Sequence, residues 1–169
     1  MGAAGAGADV SDVAFANAIS IVLRYEGGLV DHSSDSGGIT KYGISKRSYP
    51  DLDIRNLLLS EVIPIYRRDF WTPCRCDDWP YPVALVVFDT AVNCGPGRAK
   101  RWLQKAAGVV PDKVLGPVTA RAVLAGSPVT LASEVLAHRL GYYMTLGTHE
   151  AFGFGWARRV LDIQREALK

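Results

Sequence analysis

Eleven residues beginning at Val83, VALVVFDTAVN, constrain the fold of this chain most. The run is mostly apolar and fills three helical turns, so it reads as a helix buried on nearly every side. Other helices must then cover it. Gly95-Pro96-Gly97 ends it and starts another helix over residues 98–107. Pro117 takes the first position of a helix reading PVTARAVLAG, and two longer helices follow over residues 129–146 and 155–168. Upstream, Ser11 or Asp12 can cap a helix running to about Tyr25, with Phe15, Ile19, Val22 and Leu23 as its buried stripe. A further helix is expected over residues 56–70, bent or split at Pro64.

The 169 residues suit one domain, with 49% hydrophobic and 21% charged residues. No apolar run approaches the roughly 18 residues of a membrane span. The first nine residues are Ala/Gly-rich and read as a flexible tail without the features of a secretory signal. Cys74, Cys76 and Cys94 cannot all pair within the chain, which suits a reducing compartment and synthesis in the cytosol. Cys-x-Cys with one further Cys is a weak zinc signal, so free thiols are the better reading.

A net charge of +2 gives no argument for nucleic acid. The charge is uneven, however. Residues 1–97 carry 8 Lys/Arg and 12 Asp/Glu, whereas residues 98–169 carry 11 and 5. Arg158, Arg159, Arg165 and Lys169 of the closing helix are either a solvated face or a contact for the anionic cell envelope.

The chemistry concentrates in EGGLVDHSSDSGGITKYGI, residues 26–44, which reads as a β-hairpin or two short strands around a turn. Glu26 stands where the first helix breaks into Gly27-Gly28. By helical spacing it continues the face of Val22 and Leu23, which would raise its pKa through burial and through the negative end of the helix dipole. A general acid needs such a proton reserve; a frayed helix end is the plain alternative. Asp35, in a Ser/Gly turn, should stay ionised and orient a water or stabilise charge at an anomeric carbon, unless it merely closes an Asx turn. Thr40 could hold the water with its hydroxyl or be an ordinary strand residue. Asp31 lies in the same loop, so the second carboxylate is not unique, and His32 reads as a surface residue.

The pattern E-G-G-x6-D-x-G-G-x-T-x-x-G-I resembles the signature of glycoside hydrolase family 108, N-acetylmuramidases acting on peptidoglycan. Its Glu, Asp, Thr order also resembles that of phage-type lysozymes. IYRRDFWTP (65–73), FDTAVNCGPGRAKRWLQKAAG (88–108), VLGPVTARAV (114–123) and FGFGWARRV (152–160) extend the resemblance over nearly all of residues 11–165. Ser36 stands where the family tends to have proline. The resemblance implies a mainly α, lysozyme-like fold with a small β-hairpin and two lobes around a cleft. Residues 10–79 would form the catalytic lobe and 80–169 a helical, peptidoglycan-binding lobe.

It further implies Glu26, Asp35 and Thr40 as the catalytic set of a peptidoglycan hydrolase. Such an enzyme is a monomer needing no metal or organic cofactor, typically an endolysin released to the wall by a holin. Asn93 and Gln104 can bond sugar hydroxyl and acetamido groups, although Gln104 could equally brace nearby backbone. Tyr42 and Trp71 offer flat faces for sugar rings, at least one of them being core; Trp102 is assigned to the core. A lytic transglycosylase and a silent wall-binding or secretion accessory protein are the rival readings.

Overall fold

A computed structural model describes residues 10–28 and 38–169. Helix α1 (Val10–Leu23) buries Phe15, Ala18, Ile19, Ile21 and Val22, the spacing of one helical face. Beyond Leu23 the chain tightens. The amides of Arg24, Tyr25 and Glu26 each bond the carbonyl three residues back, and Gly27 ends the run at φ +60°.

Strands β1 (Thr40–Lys41) and β2 (Ile44–Ser45) pair antiparallel, Thr40 opposite Ser45 and Lys41 opposite Ile44. The two residues between them, Tyr42 and Gly43, both have positive φ, 50° and 73°. That is the mirror-image turn whose twist matches a tight hairpin. Among the described residues, this hairpin is the β element of the expected stretch.

The helix expected over residues 56–70 is shorter and changes pitch. Asn56 is tied back by its side-chain amide to Asp53 (2.8 Å), and α2 (Leu59–Tyr66) starts where Glu61 accepts the Leu58 amide at 2.8 Å. Pro64 lies inside α2 and removes one donor without breaking it. The ladder then widens. Arg67 N–H is shared between the Ile63 and Pro64 carbonyls, and residues Arg67–Trp71 form a π-helical turn closed by Thr72 N–H on the Arg67 carbonyl. Two short 3-10 turns, Thr72–Cys74 and Cys76–Asp78, lead on.

Helix α3 (Tyr81–Cys94) is buried without interruption from Val83 to Ala91. It packs against α1, the π turn, α4 (Pro96–Ala106), α6 (Pro128–Met144) and α7 (His149–Ala167). Proline at the first position starts α4, α5 (Pro117–Ala125) and α6, where its missing amide costs nothing. Helix α7 begins six residues before the expected Gly155. Its internal Gly153 and Gly155 disfavour helix, but Trp156 stacks on Tyr143 at 4.8 Å and anchors that turn on α6.

Phe15, Trp71 and Phe88 meet edge to face with centroids 5.2–5.9 Å apart, joining α1, the π turn and α3. One apolar cluster runs from Phe15 through α3 to Ala167, so both halves of the chain share a core. The result is a mainly α, lysozyme-like fold with one small hairpin among the described residues. Among the described residues, no helix is long and apolar enough to cross a membrane.

Candidate active site

Glu26 follows the tight turn beyond Leu23 and comes to rest against a cation, its side chain 16% exposed. Oε1 accepts from Arg159 Nη2 at 2.8 Å. Arg159 is thus a buried residue of α7, 9% exposed, and not one of the solvated cations expected on the closing helix.

Behind it runs a buried polar chain. Arg159 Nε and Nη2 donate to Asp89 Oδ1 at 3.0 and 2.7 Å. The other oxygen of Asp89 accepts from Arg139 Nη1 on α6. Arg139 Nε donates to the Tyr143 hydroxyl at 2.5 Å, and that hydroxyl donates to Asn93 Oδ1. Full burial works against the charge of Asp89, yet the two guanidiniums outweigh it and hold the carboxyl below its ordinary range. Burial likewise opposes the charge of Arg159, but Asp89 and Glu26 together push its pKa up. The arginine is a permanent cation shared between two carboxyl groups.

The hairpin closes on the other side of Glu26. A Cβ placed on Gly43 would lie 2.7 Å from Glu26 Oε2 and 2.5 Å from the Tyr66 hydroxyl. Tyr66, on α2, donates to the Tyr42 carbonyl at 2.9 Å, which holds the turn in its left-handed conformation. Burial, and after it the charge of Glu26, raise the Tyr66 pKa, so this phenol is a donor and not a base. The Glu26 carboxyl therefore sits between a guanidinium and the turn of a hairpin that carries Thr40 and Tyr42.

The family model for glycosyl hydrolase 108 matches residues 19–95, a span holding Glu26, the hairpin, Asp89 and Asn93. The structure of Brucella abortus SagA is similar at 34% sequence identity and a TM-score of 0.82, over 91% of this chain and 93% of that one. The chain belongs to the glycosyl hydrolase 108 family. Among curated proteins, none matches this sequence.

In this glycoside hydrolase the other residues singled out in the sequence fall in different places. Asp35, with Asp31 and His32, lies outside the described residues. Thr40 and Tyr42 are half-buried on the hairpin, Tyr42 with Lys41 Nζ 5.6 Å from its ring centroid. Asn93 is exposed at the end of α3, its carbonyl oxygen accepting from Tyr143. Gln104 is engaged inside the protein, which corrects its assignment to substrate. It is 1% exposed; its amide nitrogen donates to Asp112 (2.7 Å), the Val114 carbonyl and Thr119, and its oxygen accepts from Lys113 N–H (2.7 Å). It braces the loop between α4 and α5.

Trp71 is fully buried and donates to Asp77 at 2.7 Å, so it is core and not a sugar platform; Trp102 is core as expected. The three cysteines are free and buried, and burial pushes the Cys74 thiol up to about 12.

Arg159, Asp89 and Gly43 were not singled out as site residues in the sequence. Asp89 had a visible signal, a lone carboxylate inside an apolar helix that needs cationic partners. Gly43 yields a prediction. Gly43→Ala adds a Cβ where Glu26 and Tyr66 already stand and strains a φ of +73°. Since a displacement of about 1 Å at a reacting group can cost ~10²-fold, turnover on peptidoglycan should fall at least ~10-fold. A Gly43→Ala enzyme with parental turnover would show that the hairpin does not set the position of Glu26.

Proposed function

We propose that this glycosyl hydrolase is an N-acetylmuramidase, cleaving the β-1,4 bond between N-acetylmuramic acid and N-acetylglucosamine in peptidoglycan. The observation that carries the reading is the Glu26 carboxyl, fixed by Arg159 on one oxygen and bounded by the hairpin turn at the other. Glu26 gives its proton to the glycosidic oxygen as the bond to the anomeric carbon breaks. The carboxylate left behind is stabilised by the guanidinium already touching it.

Asp35 and Thr40 are assigned to the water that replaces the leaving sugar, Asp35 by charge and Thr40 by its hydroxyl. Family resemblance supports both roles, and the position of Thr40 on the hairpin beside Glu26 is compatible with its share. We place the protein as a monomeric endolysin made in the cytosol, where three free thiols are at home, with lysis from inside requiring a holin.

One digestion series tests the proposal. Parent, Asp35→Asn and Thr40→Ala proteins are incubated with purified peptidoglycan, and released muropeptides are weighed by mass spectrometry. The parent should release products ending in reducing N-acetylmuramic acid, and both variants should lose turnover more than substrate affinity. Products ending in anhydro-muramic acid would make the enzyme a lytic transglycosylase. Full turnover of Asp35→Asn beside a crippled Asp31→Asn would move the second carboxylate to Asp31.

A further inference from the structure

On the closing helix, Arg159 is buried, Arg165 pairs with Asp162 at 3.0 Å and Lys169 with Glu166 at 2.8 Å, which leaves Arg158 exposed without an ion pair among the described residues. A denser group of cations stands on α4 and the loop after it. Arg98, Arg101 and Lys105 stand three and four residues apart, one face of a helix over about 10 Å. Lys113, at φ 71°, brings a fourth charge from the loop that Gln104 braces.

Arg101, Lys105 and Lys113 are exposed, and among the described residues their side chains make no ion pair. Asp112, next to Lys113, is exposed and accepts from the Gln104 amide and the Val114 N–H through one oxygen.

This face is concave. Two adjoining depressions of about 330 and 390 Å3 share Arg98 and Arg101 as walls, the first completed by Lys113 and the second by Lys105. No carboxylate lines either one among the described residues. Arg98 lies over the Tyr142 ring at 4.4 Å and donates to the Cys94 carbonyl at 3.1 Å, so its guanidinium is held in place before any ligand arrives.

We infer that the α4 face is a second contact for the wall, in which Arg98, Arg101, Lys105 and Lys113 bind the carboxylates of peptidoglycan stem peptides. The inference rests on the peptidoglycan reading above, since that substrate carries a carboxylate-bearing peptide on its muramic acid units. Planar guanidiniums in a recess match carboxylates, whereas a lipid surface would be met by a flat or apolar-tipped face. The contact is electrostatic, so it holds the enzyme on an anionic polymer between cleavages and yields to salt.

The test is co-sedimentation with purified sacculi, in a Glu26→Gln background so that the polymer stays whole. Arg101→Gln/Lys105→Gln/Lys113→Gln should bind about tenfold more weakly at low salt, and the difference should vanish as salt rises. Amidating the sacculus carboxylates should bring the unsubstituted α4 face down to the same level. Circular dichroism should find the triple variant folded, because the three side chains are exposed. Three results would each overturn the inference. These are equal binding of the triple variant at low salt, equal binding to amidated sacculi, and binding to phosphatidylglycerol vesicles as tight as to sacculi. The comparison is read from binding alone; digestion of the same sacculi by the parent tests the hydrolase reading separately.

Discussion

Asp89→Asn is expected to destabilise the protein by about 3–5 kcal/mol, the usual cost of removing one partner from a buried ion pair. Asp89 and Arg139 are both fully buried, and Arg159 is nearly so. One carboxylate neutralises two guanidiniums from two helices, and the asparagine amide can offer neither the charge nor four acceptor sites. Both arginines would then remain in the core of the α3, α6 and α7 packing, with Glu26 alone to balance them. At roughly 2–4 °C per kcal/mol for a chain of this size, the melting temperature should fall by about 6–20 °C. A melt within about 2 °C of the parent would show that the network adds nothing to stability. The same substitution loosens the side chain that holds Glu26, so residual activity should fall further than stability requires.

Much of the fold was legible because it rests on local rules. The run from Val83 announced a helix that others must cover, and α3 is that helix. Prolines at helix starts and glycines at breaks marked α4, α5 and α6 within a residue or two. The π turn after Pro64 was not legible, because a helix can absorb a lost donor by bending, ending or widening. Only the packing of Trp71 between Phe15 and Phe88 shows which occurred.

The site divides along the same line. The break at Gly27 drew attention to Glu26, but its partner lies 133 residues further on, in a helix where an arginine is by default solvated. What buries Arg159 is Asp89 on a different helix, a long-range pairing that periodicity cannot report. Gln104 failed as a ligand for a related reason. An amide suited to bind a sugar is equally suited to close a loop, and the loop leading into α5 uses both of its ends.

Glu26→Gln carries the central claim. The glutamine keeps the side-chain shape, and its carbonyl oxygen can still accept from Arg159, which Asp89 holds through two further bonds. The fold should therefore survive. What the amide lacks is a proton to give to the leaving oxygen, and loss of a general acid lowers a rate roughly 10²–10⁴-fold. The measurement is the turnover of purified Glu26→Gln protein on purified peptidoglycan, beside a thermal melt that confirms folding. The account predicts a folded protein with about 1% of parental turnover or less; a folded Glu26→Gln protein retaining more than about a tenth would contradict it.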